Sequence, residues 1–562
     1  MNNKDTFITD LAVILKEHLT EEQIESVIEI PKDSSMGDLA FPAFQLAKVM
    51  RKAPHLIAND IAASLSSNHY AQIEAVGPYV NVKLIRSEAS TQIIKHIFEA
   101  QNHYGENNLG QDGNMIIDMS SPNIAKPMSM GHLRSTVIGN AIANLASKSH
   151  YNPIKINYLG DWGTQFGKLI VAYQLWGDPK VVEQNPVTEL VRLYVHFHEV
   201  AIEQPELEEQ ARQVFLRLEQ GDEELLSLWK WFREESLKEF QRIYELLDVS
   251  FDSYNGEAFF NDKMDPVIEE LNEKGLTEES EGATIVDLDE YDLPPALIKK
   301  SDGATLYVTR DLAAAKYRYE KYDFDKAIYV VGNEQRVHFQ QLKAVLGKMG
   351  YDWAQDIIHV PFGLITKDGK KLSTRKGDVV LLEDVLNEAI ELALEQIEAK
   401  NPDLKDKEQV ARQVGVGAVI FHDLKNERIN SFDFNLDEIV RFEGETGPYV
   451  QYSYARAMRV LRLADMDVTS FDYQLQDDYS WEIIKKLSQY GSTIERAMRE
   501  YEPSVIAKYV LQLSQLFNKF YANVRILEKD DQLPARLALV KATSIVIKDA
   551  LALLGVHAPH EM

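Results

Sequence analysis

Apolar residues from Phe7 to Leu19 recur at helical spacing, and after Gly77-Pro78 the run Tyr79-Val80-Asn81-Val82 reads as a short strand. Gln101 to Asn114 is rich in Asn, Gly and Gln and has no apolar period, so a small domain is expected to end there. Met115-Ile116-Ile117-Asp118-Met119 then reads as a buried strand, Ser120 to Gly131 as a turn-rich loop, and Leu133 to Ser147 as an amphipathic helix. A second strand follows at Ile154 to Tyr158. Strand, loop, helix and strand in this order predict a parallel sheet.

The text turns helical and acidic from Val181 to about Val249, the pattern of an insertion at about 181–250. Strand-like text resumes at Ala283 to Val286 and at Ala304 to Val308. The alternation returns with a strand at Lys326 to Val331, a helix at Val337 to Met349 and a strand at Ile357 to Val360. Beyond Leu381 nearly everything reads as helix, closing in a bundle from about Gly447 to Leu554. The expected class is α/β: a Rossmann-like parallel-sheet domain at 113–390, a small α+β domain at 1–112, and an all-α C-terminal bundle within 391–562.

Composition narrows the function classes. The 45% hydrophobic and 26% charged fractions are those of an ordinary globular chain. With no cysteine there is no disulfide, no Cys-ligated zinc and no thiol nucleophile. A net charge of −28 argues against a protein that coats DNA through its whole surface, but leaves room for a nucleic acid on a local basic face. No basic leader precedes the first apolar stretch, and Val414 to Phe421 falls far short of the roughly 20 residues that span a bilayer. The expectation is a cytoplasmic protein without membrane or DNA partners.

Two segments carry candidate chemistry. Ser120 to Thr136 runs from a strand end to a helix start, where free N–H groups and the positive end of the helix dipole attract anions. Within it, Gly131 permits close backbone approach and His132 puts an imidazole in the first turn. Thr366 to Asp378 holds five cations against two acids, and Gly369 and Gly377 bracket its core. A mobile cationic loop suits a developing polyanion such as a leaving pyrophosphate. Taken singly, His132 could merely cap its helix, and the lysines could be a solvated turn.

Together the two loops resemble the HIGH and KMSKS signatures of class I aminoacyl-tRNA synthetases. The surrounding text is similar to the arginyl-tRNA synthetase family: Ser-Pro-Asn-Ile-Ala-Lys-Pro at 121–127, Gly-His-Leu-Arg-Ser-Thr at 131–136 and Gly-Asp-Trp-Gly-Thr-Gln-Phe-Gly at 160–167. Leu306 to Asp311 and Glu445 to Tyr452 follow in family order. The resemblance implies ATP-dependent ligation of L-arginine to tRNA(Arg) through an arginyl-adenylate, with Mg²⁺ expected on ATP, no protein-bound metal, a monomer, and activation that requires bound tRNA. It makes 113–390 the catalytic domain, 1–112 a tRNA-contacting domain and 391–562 the anticodon-binding domain.

Ser129, Gly131, His132, Lys371, Ser373 and Thr374 are then expected at ATP. Two positions depart from the family pattern: Ser129 stands where the first histidine of HIGH is usual, and Thr374 where the second lysine of KMSKS is usual. Lys126 is the expected replacement cation, which makes Lys126, His132, Lys371 and Ser373 the catalytic set.

A site for arginine must match a planar cation with five donors, so it needs carboxylates and neutral acceptors. The resemblance points to Asp311 and Tyr307 for the guanidinium, Asp118 and Asn123 for the α-amino group, and Gln335 beside them. Tyr307 and Asp311, four apart, share a face if their segment is helical. Tyr449, Tyr521 and the C-terminal Met562 are expected to touch tRNA, although about two-thirds of the bundle aromatics should be core. A cysteinyl-type enzyme would need cysteines, and a glutamate-specific one would want cations in place of Asp118 and Asp311. A non-catalytic tRNA-binding relative is encouraged only by Ser129 and Thr374.

Overall fold

The computed structural model describes residues 3–31, 33–66, 68–300, 307–367, 370–371, 380–468 and 473–562 of the 562. Contacts divide it into two compact units. One comprises Met1–Tyr104, Arg456–Tyr490 and Gln512–Ile547; the other comprises Gly105–Ala455, Gly491–Leu511 and Lys548–Met562.

The first unit contains an antiparallel sheet of β1 (Leu39–Pro42), β2 (Tyr70–Val76) and β3 (Tyr79–Leu84) in the order β1-β3-β2. Gly77, at φ +58°, makes the tight turn between β2 and β3. Helices α1 (Asn3–Leu15) and α2 (Pro54–Ser64) press Phe7, Leu11, Ile57 and Ile61 onto Val80 and Val82, forming one core. Along α3 (Arg86–Ala100), Arg86 Nη1 donates to Asp478 Oδ1 at 2.9 Å and Ser90 Oγ to the Tyr473 carbonyl at 2.8 Å. Those bonds join the chain's first hundred residues to a segment nearly 400 positions away.

The second unit is built on a parallel sheet of β4 (Asn114–Asp118), β5 (Asn152–Ile156), β9 (Phe324–Gly332) and β10 (Ile357–Phe362) in the order β10-β9-β4-β5. Met115, Ile116 and Ile117 are all fully buried, as parallel strands covered on both faces require. The chain crosses from β4 to β5 through α4 (Met130–Lys148) and later returns to the other side of β4 as β9. The sheet therefore has its switch point between the carboxyl ends of β4 and β9, which is where open α/β sheets bind ligands.

The expected insertion is entirely helical. After α5 (Gln165–Trp176) it contains α6 (Pro186–Glu203), α7 (Glu206–Glu219) and α8 (Glu223–Leu247). A small antiparallel sheet, β6 (Glu278–Ser280), β7 (Ala283–Val286) and β8 (Ala296–Lys299), precedes α9 (Tyr307–Tyr322) and α10 (Arg336–Lys348). Two- and three-residue strands β11 (Ile365–Lys367), β12 (Lys370–Lys371) and β13 (Phe432–Asp433) form a third sheet in the second unit. The later helices are α11 (Leu382–Lys400), α12 (Lys407–Leu424), α13 (Gly447–Ala464), α14 (Asp478–Ser488), α15 (Tyr490–Glu500), α16 (Ser504–Asn523) and α17 (Leu533–Leu553). No helix among the described residues is long and apolar enough to cross a membrane.

One element corrects the sequence reading. The strand expected at Ala304 to Val308 does not form over its last two residues, because α9 begins at Tyr307; 304–306 lie outside the described residues. The β-branched pair Val308-Thr309 suggests a strand, but Val308, Leu312 and Ala315 stand at helical spacing and are all buried, with an alanine run behind them.

Gly139 of α4 crosses over Met119, and a Cβ there would lie 2.4 Å from the Met119 sulfur and 2.5 Å from its Cβ. Gly139→Ala is therefore expected to destabilise the second unit by about 1–3 kcal/mol through overpacking. Thermal unfolding followed by circular dichroism should show a lower Tm with native secondary structure retained below it.

Candidate active site

The loop from β4 to α4 is held in an uncommon backbone. Ser120, Ser121 and Ala125 all have left-handed φ values of 71°, 49° and 57°. Such residues cost about 1–3 kcal/mol each and persist only where neighbours over-determine them. Here the Ser120 amide donates to Ser135 Oγ at 2.8 Å, the Ser121 amide to Asn157 Oδ1 at 3.2 Å and the Ala125 amide to Ser236 Oγ at 3.1 Å. Ser120 Oγ also lies 2.8 Å from the buried Tyr244 hydroxyl of α8. At Gly160 a Cβ would come within 2.1 Å of Asn123 Oδ1, so the Gly-Asp-Trp-Gly segment can lie this close only without a side chain.

The loop delivers Ser129 as the residue preceding α4. The Ser129 amide donates to His132 Nδ1 at 3.0 Å, and Ser129 Oγ lies 3.2 Å from the same nitrogen. With Nδ1 accepting, the proton of the neutral ring sits on Nε2, which becomes a donor. Burial holds the His132 pKa below its ordinary value, favouring that neutral form. Gly131 is open: a Cβ would meet no protein atom nearer than Ser129 Oγ at 3.4 Å. Asn123, Lys126, Ser129 and His132 share a cavity of about 320 Å³ with Phe166 of α5 and Tyr194 of α6.

The cationic segment is tied to this loop. The Met130 amide donates to the Val380 carbonyl at 3.1 Å and the Leu382 amide to the Met128 carbonyl at 3.0 Å. On its other side the segment leaves from the hairpin β11–β12, where Thr366 pairs with Lys371, and β11 pairs in parallel with β13. The structure thus brings together Met128–Met130 and Val380–Leu382, about 250 residues apart, at the ends of the two signature loops. Ser373 and Thr374 lie outside the described residues.

At the end of β4 the Asp118 carboxylate is buried and paired with Arg318 Nη1 of α9 at 2.7 Å, while Ser121 Oγ donates to its other oxygen at 3.1 Å. Arg318 is itself buried, its guanidinium 5.2 Å from the Tyr158 ring centre and 5.4 Å from that of Tyr329. Burial pushes the Asp118 pKa up, and Arg318 pulls against it. Tyr307 opens α9 and is 68% exposed; Asp311, one turn on, is half-buried with Oδ2 at 2.6 Å from His338 Nε2 of α10. Gln335 is exposed in the turn after β9.

Three residues in this neighbourhood escaped the sequence reading. Arg318 pairs with Asp118, and His338 pairs with Asp311. Glu257 lies 3.8 Å from Arg310 Nη1, and burial pushes its pKa up to about 7, with repulsion from Asp311 adding and Arg310 opposing. The buried Tyr158 hydroxyl has no hydrogen-bond partner among the described residues, and the charges of Asp311 and Glu257 help hold its pKa well above the usual value. Asp118, Asp311 and Glu257 therefore lie within electrostatic reach of one another or of Tyr158 and Tyr329, with Arg318 and Arg310 facing two of the three. No local pattern marked Arg318, His338 or Glu257, since each matters only through its partner.

Among the aromatics of the later helices, Tyr454, Phe517 and Phe520 are buried. Tyr449 is half-buried at the start of α13. Tyr521 is 44% exposed, with the Arg456 guanidinium 4.8 Å from its ring centre. Met562 packs on the apolar cluster of Ala393, Ile397, Val414 and Phe442, and its carbonyl accepts from Asn401 Nδ2 at 3.4 Å.

His422 of α12 packs edge-on against Phe432 of β13, and burial holds its pKa at about 4 against an ordinary 6.5. Its neutral ring supports the fold fully above about pH 6.5. As the pH falls towards 4 the unfolded chain takes up the proton first, and this support is lost, at the limit by ~3 kcal/mol. His422→Phe is expected to blunt the fall of Tm between pH 6.5 and 4.5; an identical pH profile would contradict this.

Comparisons with known proteins bear on the whole chain. Residues 93–436 match the family model "tRNA synthetases class I (R), catalytic domain", residues 450–562 the "DALR anticodon binding domain", and residues 5–84 the "Arginyl tRNA synthetase N terminal domain". An arginine–tRNA ligase of Enterococcus faecalis is 60% identical over 564 residues, covering 100% of both chains. That of Ligilactobacillus salivarius is 60% identical over 545 residues, 97% of each. The solved arginyl-tRNA synthetase of Thermus thermophilus superposes with a TM-score of 0.83 at 25% identity, covering 100% of both chains.

Proposed function

This chain belongs to the arginyl-tRNA synthetases of class I, and from that premise we propose how its residues divide the work. The reaction is the ligation of L-arginine to tRNA(Arg) with ATP, through an arginyl-adenylate that releases pyrophosphate, followed by transfer to the tRNA and release of AMP. In the first step the arginine carboxylate attacks the α-phosphorus and pyrophosphate leaves. In the second, the terminal ribose hydroxyl of tRNA attacks the activated carbonyl and AMP leaves. Little covalent chemistry falls to the protein, so positioning and charge stabilisation dominate.

The observation that carries the assignment is the pairing of Met128–Met130 with Val380–Leu382, which ties the His132 helix start to the cationic segment beside the sheet's switch point. The phosphates lie against the N-terminus of α4, contacted by Ser129, the Gly131 backbone and His132 Nε2. Lys371, Ser373 and Thr374 act on the same phosphates, and Lys126 supplies the cation missing at Thr374. Mg²⁺ enters as part of the ATP substrate, on its phosphates.

The guanidinium binds between Asp311, Tyr307 and Glu257. The α-amino group is held by Asp118 and Asn123, with Gln335 beside the bound amino acid. Asp118 keeps lone pairs to spare beyond those taken by Arg318 and Ser121. Residues 113–390 perform the chemistry, 1–112 touch the body of the tRNA, and 391–562 read the anticodon through Tyr449, Tyr521 and the Met562 end. The open face of Tyr521 beside Arg456 has the chemistry to stack on an unpaired base. The working form is a cytoplasmic monomer that activates arginine with tRNA bound.

Lys126→Ala should lower the rate of ATP–pyrophosphate exchange, assayed with tRNA present, by about 100-fold or more; near-normal exchange would remove Lys126 from the catalytic set. Asp311→Asn and Glu257→Gln should each raise the arginine KM at least ~10-fold while Tm stays within a degree or two, because a charge-assisted bond to the guanidinium is lost. Unchanged KM values would sink the guanidinium assignment.

A further inference from the structure

The carboxylates of Asp118, Glu257 and Asp311 are each held by a partner, and the partners differ in kind. Asp118 is paired with Arg318 at 2.7 Å and Glu257 faces Arg310 at 3.8 Å. Asp311 instead meets an imidazole: His338 Nε2 lies 2.6 Å from its Oδ2, with both side chains about four-fifths shielded. The contact spans two helices, α9 and α10, so it fixes the carboxylate relative to the end of β9 as well as to its own helix. The imidazole is itself held, its ring standing edge-on to Phe339 at 5.3 Å. Phe339 in turn is packed between Tyr329 at 5.0 Å and the stacked His359 at 4.7 Å.

A planar guanidinium binds a carboxylate best when the two lie in one plane, so the carboxylate's rotation decides how much of the fork is matched. A hydrogen bond at Oδ2 fixes that rotation and uses one lone pair, leaving Oδ1 and the remaining sites for the substrate. An arginine or lysine in the same place would orient Asp311 equally well but would cancel its charge. Imidazole donates the same bond without carrying an obligatory charge. We propose that His338 is a positioning residue for substrate selection: it orients the Asp311 carboxylate for the guanidinium fork while leaving its negative charge to the substrate. This rests on the reading of Asp311 as a guanidinium partner.

The test compares His338→Leu, His338→Gln and His338→Lys, with Asp311→Asn alongside, by KM for arginine and for ATP in tRNA charging and by Tm. His338→Leu should raise the arginine KM about tenfold or more and leave the ATP KM within about twofold. His338→Gln, an uncharged donor of similar reach, should recover most of that loss. His338→Lys should be as poor as His338→Leu or worse, because it neutralises Asp311. A purely structural histidine would give the opposite pattern, with ATP and arginine KM rising together, Tm falling, and no rescue by glutamine; that result overturns the proposal. So does an arginine KM for His338→Leu within twofold of the native value. If Asp311→Asn leaves the arginine KM unchanged, the reading of Asp311 itself fails; if Asp311→Asn is impaired and His338→Leu is not, only the role of His338 fails.

Discussion

Two main-chain hydrogen bonds, Met130 to Val380 and Leu382 to Met128, join segments about 250 residues apart, and the arrangement of the nucleotide end of the site depends on them. Alone each contributes only about 0.5–1.5 kcal/mol. They are backed by Arg134, two residues beyond His132 on the same helix and fully buried. Its guanidinium lies 4.9 Å from the Phe432 ring centre and 5.8 Å from that of Phe362, donates to the Asn430 carbonyl at 2.9 Å, and pairs with the buried Asp423 of α12 at 3.4 Å. Phe432 belongs to β13, which pairs with the stem strand β11 of the cationic segment. One side chain thus couples the helix that carries His132 to the stem that carries Lys371. Removing one member of such a pair leaves an uncompensated buried charge, a far larger loss than a surface ion pair would entail.

The loop Ser120–Ser129 works by a related economy. Its left-handed residues would relax in isolation, and serine hydroxyls, Asn157 and Tyr244 hold them in place. With the amides and the His132 ring fixed in advance, the proposed contact to ATP phosphates would need little reorganisation as charge develops on them. The amino-acid end is organised differently. Around the end of β4 the carboxylates of Asp118, Asp311 and Glu257 face Arg318, His338 and Arg310, so each is oriented by a neighbour rather than left to rotate.

The signature residues were legible because they are local. Helix-start chemistry, a glycine beside a histidine and a cationic loop can be recognised from spacing, and the alternation of strands and helices at 113–360 indicated the parallel sheet. The helical insertion was legible for the same reason, since 3.6-residue periodicity is local information. At Tyr307 the sequence misled: β-branched residues suggested a strand, and burial of Val308, Leu312 and Ala315 on one face made a helix. The hairpin strand β2, with its exposed middle residues, and the very short β11–β13 lacked enough alternation to be seen.

By itself the sequence determined the family, with it the class of chemistry, and the order of domains that the family models match. Tertiary structure alone decided the partners. Arg318 with Asp118, His338 with Asp311, Glu257 beside Arg310 and Arg134 with Asp423 are separated by 200, 27, 53 and 289 positions. No periodicity reaches so far, because an ion pair is defined by distance through space after the chain has closed its sheet, whereas a helix or a cap is defined by neighbours a few residues along it.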